Sequence, residues 1–368
     1  MIYLIIGTKA QFIKMAPVAR ILDQRQIAYC IVDLGQHAAI TRRILDDFGL
    51  KQDPLRLLSR STNVSSYVEG AAWLLRHFAL LARHNRLRQL FQPQGQDFAL
   101  VHGDTASTLL GLLYARRLGI PTGLVEAGLS SGSWRSPFPE EIIRRTVQRF
   151  SDALFPPGRK ETENLMARKC RGKIVNTGYN TGRDALEIVQ SAANPVAGTT
   201  TRGFALCTLH RLETIGSETR LRAVTNYLTE LAGRLGQLRF VMHEPTLRAL
   251  KRHNLLQRLS KAANIEISQL RSYPEFIEIL RSARWVLTDG GSIQEEASYL
   301  GKPCLILRER TERPHGVGTT AKLASFNAAT DAAFLRAVEC VEERPTCTMS
   351  ASTIIADYLF ERSQDSRH

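Results

Sequence analysis

Short apolar runs recur along the chain, each broken by a polar or glycine-bearing turn and followed by a stretch whose apolar residues fall three or four apart. MIYLIIG is such a run, ending at Gly7, and IKMAPVARILDQRQ then sets Ile13, Ala16, Val18 and Leu22 at helical spacings. IAYCIVDLG precedes ITRRILDDFGL, while DFALVHGD and IPTGLVEAG flank TASTLLGLLYARRLG. The rhythm restarts near residue 200 with GFALCTLH, which leads into a predicted helix through RLRAVTNYLTELAGRLG. LRFVMHEP, NIEISQL, WVLTDGGS and KPCLILRE read as strands with their exit loops, and SIQEEASYLG as a helix entered from a glycine turn. Strand, loop and helix repeated in this order predict an α/β fold with parallel sheets covered by helices. The Pro- and Gly-containing stretch EIVQSAANPVAGTTTRG separates the two series. It predicts two domains, 1–185 and 186–350, with 351–368 as a terminal helix and tail able to pack back on the first.

Composition narrows the setting. A chain of 368 residues, 43% of them hydrophobic, is long enough to bury two cores, and 23% charged residues do not describe a disordered polyelectrolyte. Cys30, Cys170, Cys207, Cys304, Cys340 and Cys347 are scattered without a CxxC pair, so neither a zinc knuckle nor a disulfide framework is expected. No signal-like segment and no apolar run long enough to span a bilayer is read, so a reducing, cytoplasmic location is expected. The net charge of +14 fits a phosphorylated substrate, an anionic membrane surface or nucleic acid. Its charges are dispersed over helical contexts such as ARHNRLRQLF, with no zinc finger or aromatic-basic platform beside them. A solvated basic face is the plainest reading, and nucleic acid is not expected.

Because the carboxyl ends of parallel strands face ligands, polar residues placed directly after apolar runs are the candidates for chemistry. Asp104 follows LVHG, Glu126 follows TGLV, and Glu140 lies in SPFPEEIIRR near Arg135, Arg144 and Arg145. These carboxylates can serve acid–base work. Each can also serve structure, Asp104 by capping a helix and Glu140 by sitting in the favourable field of a helix start. His102, His210 and His243 likewise end apolar runs. His210 suits phosphate binding or catalysis, and His102 can hold the Asp104 loop. With no HExxH or other compact ligand pattern, a metal site is not expected. GTK at 7–9 and DGGS at 289–292 can each offer backbone N–H groups to phosphate. Neither has P-loop or dinucleotide spacing, and either turn can serve folding alone. Present in opposite halves, they point to two parts of one sugar nucleotide.

GTKAQFIKMAP, VHGDT, VEAGL, SPFPEE, TGYNTGRDAL, TLHRLETIG, VMHEP and LTDGGSIQEEASYLGKPCLILRERTERP occur in one order over roughly residues 2 to 325. In that order they resemble the UDP-N-acetylglucosamine 2-epimerase family. The resemblance implies two Rossmann-like domains in a GT-B-like arrangement, with an active-site cleft between them, no cofactor and a homodimer. Asp104, Glu126 and Glu140 resemble the family's active-site carboxylates and His210 its active-site histidine. The implied substrate-binding set is Lys9, Lys14, Arg144, His243, Gly290, Gly291, Ser292, Glu296 and Arg313, with Glu296 on the ribose hydroxyls. The implied reaction interconverts UDP-GlcNAc and UDP-ManNAc, or a related pair, by eliminating UDP and adding it back. Its setting would be envelope polysaccharide synthesis, with peripheral association with that machinery. Alternatives are a hydrolysing 2-epimerase releasing UDP and ManNAc, a GT-B-like glycosyltransferase, and a noncatalytic sugar-nucleotide-binding assembly protein.

Several motifs depart from the family. GTRPE is here Gly7 to Gln11, GTKAQ, which replaces a forked arginine by a point charge and a carboxylate by an amide. TDSGG is here Thr288 to Ser292, TDGGS, which moves the hydroxyl two positions along, and HRRE is here HRLE, residues 210 to 213. After Gln36 and His37 an arginine is replaced by Ala38, and Arg60 to Asn63 lack the regulatory pattern. Activity without a second UDP-GlcNAc as activator is therefore expected.

Overall fold

The first apolar series folds as alternating strands and helices: β1 (Ile2–Ile6), α1 (Lys9–Gln24), β2 (Tyr29–Asp33), α2 (Ala38–Asp47), β3 (Leu55–Arg56), α3 (Tyr67–Ala82), α4 (His84–Phe91), β4 (Phe98–His102), α5 (Ala106–Arg117), β5 (Thr122–Val125), α6 (Glu140–Phe150), β6 (Ala153–Phe155), α7 (Arg159–Ala167), β7 (Lys173–Ile174) and α8 (Thr181–Ala192). The second runs β8 (Phe204–Thr208), α9 (Leu212–Ile215), α10 (Glu218–Leu235), β9 (Gln237–Met242), α11 (Glu244–Arg252), α12 (Leu256–Ser260), β10 (Ile265–Gln269), α13 (Tyr273–Ser282), β11 (Trp285–Thr288), α14 (Gly291–Tyr299), β12 (Cys304–Ile306), β13 (Ala321–Leu323) and α15 (Ala328–Ala337), before a last helix, α16 (Ala351–Asp365). This computed structural model describes residues 1–35, 38–58, 67–130, 139–192, 203–269, 272–311, 313–338 and 349–365.

The chain divides into two compact units, Met1–Val189 with Pro345–His368, and Gln190–Arg344. Among the described residues the first unit holds a parallel sheet in the order β3-β2-β1-β4-β5-β6-β7, and the second one in the order β10-β9-β8-β11-β12-β13. Central strands such as β1, β4 and β8 are buried along their whole length, which is why they read as unbroken apolar runs. In each sheet the chain order reverses once, between β1 and β4 and between β8 and β11, and crevices for ligands form at such switch points. Both units are therefore α/β, as the patterning predicts, and Rossmann-like, as the resemblance implies. The C-terminal α16 belongs to the first unit. Its Tyr358 ring stands edge-on to Phe155 at 5.3 Å, and Ser352 donates its backbone N–H to Asp184 at 2.7 Å. Among the described residues no helix is long and apolar enough to cross a membrane.

Near the carboxyl end of β2, α3 and α5 lock together through a fully buried histidine. His77 Nε2 lies 2.9 Å from the Leu34 carbonyl and its Nδ1 2.7 Å from the Tyr114 hydroxyl, while Trp73 donates to the same carbonyl at 2.8 Å. A neutral ring, donating from Nε2, satisfies this arrangement. Burial lowers the His77 pKa from 6.5 to about 4, against the weaker pull of the Leu34 hydrogen bond. Between those values the unfolded chain binds a proton that the fold refuses, so stability falls as pH falls from 6.5 to 4 and this group has no effect above 6.5. The loss is about 1.4 kcal/mol per pH unit. Urea unfolding at pH 7.5, 6 and 5 should show this slope in the parent and a flatter one in His77→Gln. Equal slopes would remove His77 as the cause.

Candidate functional site

In the first unit, β4 and β5 run side by side with His102 opposite Val125, so the loops carrying Asp104 and Glu126 leave the sheet as neighbours. Glu126 is buried and faces two basic groups: Lys14 Nζ at 3.0 Å from Oε2, and His102 Nε2 at 3.1 Å from the same oxygen. Lys14 and His102 are themselves buried, so an ammonium, a carboxylate and an imidazole share a site largely closed to water. The Glu126 backbone has φ +64°, the left-handed region, which costs a residue with a side chain about 1–2 kcal/mol. Strain of this kind collects where function fixes a side chain.

Asp104 is partly exposed and is met by Arg144 Nη2, whose Nη1 meets Glu141. Burial works against the Arg144 charge, but Asp104 and Glu141 outweigh it and raise its pKa above the ordinary value. Glu141 is fully buried and also holds Arg145 Nε at 3.0 Å and Arg168 Nη2 at 3.4 Å. Arg144 is thus bound by two carboxylates of its own chain and orients Asp104. Glu140, the first residue of α6, lies half-buried in the favourable field of the helix start, and its Oε2 has no hydrogen-bond partner among the described residues. The cap of α5 is Thr105, so the alternative of Asp104 as helix cap does not hold.

The β1–α1 turn differs from the expectation of a phosphate cradle. Gly7 N and Thr8 N donate to Gln11 Oε1 at 2.9 and 3.1 Å, so their N–H groups are already used. Gln11 Nε2 donates to the His102 carbonyl at 2.7 Å and reaches the Thr105 and Thr108 hydroxyls at 3.0 Å. The amide, with a donor end and an acceptor end, clips this turn to the loop that carries His102 and Asp104. A Cβ on Gly7 would fall 2.4 Å from Ser107 Cβ, which accounts for that glycine by close packing alone. Lys9 opens α1 beside this turn, half-buried.

Two further polar groups lie beside Lys14, whose Cε is 3.3 Å from where a Cβ on Gly182 would stand. Asn180 caps the start of α8 with its Oδ1, 2.8 Å from Gly182 N. Its Nδ2 and the Thr181 Oγ1 are buried without a hydrogen-bond partner among the described residues.

In the second unit β8, β9 and β11 are neighbours, and their exits carry His210, His243 and Asp289. The buried Asp289 carboxylate accepts from the backbone N–H groups of His210 at 3.0 Å and Arg211 at 2.9 Å, and its Oδ1 stands 3.3 Å from His210 Nδ1. The His243 ring centroid is 5.1 Å from that of His210. Some 37% of the His210 side chain is open to solvent. Burial of the rest, then the charges of Arg211 and Arg308, lower its pKa to about 4, leaving a neutral imidazole. Gly290 is the N-cap of α14, and Gly291 and Ser292 form its first turn, where helix N–H groups lack partners within the helix. Further along α14, Glu296 accepts from the Tyr273 hydroxyl at 3.0 Å, while Arg313 pairs with Glu295 at 2.6 Å. Among the described residues no three His, Cys, Asp or Glu side chains cluster as a metal site would need.

Comparison with known proteins decides the lineage: the UDP-N-acetylglucosamine 2-epimerase family model matches residues 20–355. The chain belongs to the UDP-N-acetylglucosamine 2-epimerase family. It is 32% identical over 84% of its length to the UDP-2,3-diacetamido-2,3-dideoxy-D-glucuronate 2-epimerase of Pseudomonas aeruginosa, covering 83% of that protein. It is 30% identical to the UDP-N-acetylglucosamine 2-epimerase of Bacillus subtilis, covering 87% of this chain and 82% of that one. The UDP-GlcNAc 2-epimerase of Methanocaldococcus jannaschii, solved with UDP-GlcNAc and UDP, matches with TM-score 0.83 at 28% identity over 98% of this chain and 99% of the other.

Within this 2-epimerase fold, sequence reading overlooked Gln11 as a clip, Asp289 as the anchor of His210, and the pair Asn180 and Thr181. Glu141 was signalled by its helical spacing with Arg144 and Gln148, both buried on α6. Gln36, His37 and Arg60 to Asn63, on which the loss of an activator site was argued, lie outside the described residues, as does Arg135.

Proposed function

We propose that the protein interconverts UDP-GlcNAc and UDP-ManNAc, or a related UDP-sugar pair such as the diacetamido-glucuronate class named for the Pseudomonas relative. C2-epimerase chemistry on a UDP-sugar is the reaction type of its family. The observation that carries the reading is the Lys14–Glu126–His102 cluster beside the Asp104–Arg144 pair, at the carboxyl ends of β4 and β5 in the first unit. Removing the poorly acidic C2 proton needs a positioned carboxylate, and returning one to the opposite face needs an acid. Asp104, Glu126 and Glu140 are the groups for these transfers, and His102 gives Glu126 a neighbour able to carry a proton. When C2–H and the bond from C1 to UDP break, a C1=C2 bond forms and UDP leaves with the electron pair. Reversal from the other face gives the epimer, with no change of oxidation state and hence no need of a redox cofactor. Phosphate and ribose fall to the second unit, through the α14 start, His210, His243, Glu296 and Arg313.

In this reading the enzyme works as a homodimer beside the envelope-polysaccharide machinery that consumes its product. Incubation with a panel of UDP-sugars, followed by product identification, tests it. A UDP-linked C2 epimer is expected. Free ManNAc with UDP would instead mark a hydrolysing enzyme, sugar transfer to an added acceptor a transferase, and binding without turnover a noncatalytic protein.

A further inference from the structure

In the first unit the entries of β5, β6 and β7 are neighbours: Asp152 N donates to the Thr122 carbonyl at 2.7 Å, and Lys173 N to the Asp152 carbonyl at 2.8 Å. The chain reaches these entries from the ends of α5, α6 and α7, so three helix ends meet at the amino ends of the strands. Glu126 leaves the opposite, carboxyl end of β5. The meeting of helix ends is therefore turned away from the catalytic loops.

Its exposed side chains are cationic and apolar. Arg116 and Arg117 close α5, Arg149 and Phe150 close α6, and Met166 stands in the last turn of α7 with Lys169 and Arg171 just beyond. Contacts between the three ends make them one face. The Arg116 guanidinium lies 4.9 Å from the centre of the Phe150 ring. Burial raises the pKa of the Cys170 thiol against the charges of Arg168 and Arg149, which places Arg149 beside the stretch that follows α7. A Cβ on Gly172 would stand 2.5 Å from the Ser151 carbonyl oxygen, so that stretch runs hard against the end of α6.

The helix macrodipole accounts for part of this, because it favours a basic residue in a last turn. Two features exceed it. Several exposed helical arginines elsewhere are met by a carboxylate one turn away, as Arg159 is by Glu163, Arg222 by Glu218 and Arg234 by Glu230. Here, among the described residues, Arg116, Arg117, Arg149, Lys169 and Arg171 have no ion-pair partner. The nearby Asp152 gives its Oδ2 to the Thr122 N–H at 2.8 Å. Beside these cations Phe150 and Met166 leave 44% and 63% of their surface in water, which no helix field calls for.

We propose that this face docks the protein on an anionic lipid bilayer, with the cations on headgroup phosphates and Phe150 and Met166 seated among the headgroups. Charge complementarity selects an anionic occupant. The exposed apolar pair selects a bilayer over duplex nucleic acid, whose backbone offers phosphate without an apolar layer. Docked this way, the carboxyl ends of β4 and β5 point away from the lipid and the loops of Asp104 and Glu126 stay clear of it. The inference stands apart from the UDP-sugar reading and gives a physical means for a place beside envelope machinery.

Sedimentation with vesicles tests it, using phosphatidylcholine alone and an equal mixture with phosphatidylglycerol. The parent should bind the mixed vesicles, leave them as salt is raised, and ignore the neutral ones. Arg117→Gln combined with Arg171→Gln should weaken binding about 20-fold, since each cation near such a surface is worth roughly fivefold. Phe150→Ser should weaken it about 10-fold through lost apolar burial, and kcat should not change in either protein. Arg222→Gln combined with Arg234→Gln removes the same charge from the second unit and should bind like the parent. Equal losses in the two double variants would show that net charge alone drives binding and would overturn the docking face. A parent that ignores the mixed vesicles, or that binds a duplex oligonucleotide in their place, would overturn it as well. Each of these outcomes leaves the UDP-sugar reading standing.

Discussion

Glu126→Gln lowers kcat by about 100-fold or more in a protein that still folds and still binds UDP. Glutamine keeps the shape and one acceptor oxygen for Lys14, so the cluster retains a contact, but it can neither accept a proton from C2 nor hold a negative charge between Lys14 and His102. The left-handed backbone at 126 is common to both proteins, but neutralising Glu126 leaves the buried Lys14 ammonium short of counter-charge, so stability falls too, by about 3 kcal/mol. Asp104→Asn should lose turnover to a similar degree, with its Arg144 contact weakened rather than removed. UDP affinity, assigned to the second unit, should stay within a few-fold of the parent in both. Folded variants with near-parent kcat would mean that these carboxylates do not handle protons.

Arg144→Met gives the second large effect, on stability as well as rate. Arg144 is buried between Asp104 and Glu141, and removing one member of such a set leaves carboxylate charge short of its partner. The cost for a buried pair is about 3–5 kcal/mol. Arg145 and Arg168 remain on Glu141, which places the expected value at the low end, about 3 kcal/mol. Asp104 loses its orienting contact, so kcat should fall by about 100-fold. Arg144→Lys should recover part of the stability but little of the rate, because an ammonium cannot reach both carboxylates with a planar fork. Urea unfolding beside steady-state kinetics separates the two effects. Parental values of both in Arg144→Met would show that the bridge does neither job.

The central strands were legible because burial on both faces writes them as apolar runs, and their polar exits marked the loops of Asp104, Glu126, His210 and Gly290. The two-residue edge strands β3 and β7 left no such trace. Nor could the sequence show that the hydrogen bonds expected to reach a phosphate from the Gly7 turn end on Gln11, or that Gln11 grips a carbonyl 91 positions away. Such contacts depend on which strands become neighbours, which local patterns do not state. Asp289 was within a quoted motif, yet its work on His210 follows only from β8 lying beside β11.

The measurement that bears most directly on proton removal at C2 is NMR of UDP-GlcNAc incubated with the protein in deuterated water. The account predicts that UDP-ManNAc appears carrying deuterium at C2, and that recovered UDP-GlcNAc acquires it too as the reaction reverses. The same exchange in a related UDP-sugar, with UDP-GlcNAc inert, would assign the substrate and keep the mechanism. Epimer formed with its original C2 proton fully retained, or no exchange in any UDP-sugar that the protein binds, would contradict it.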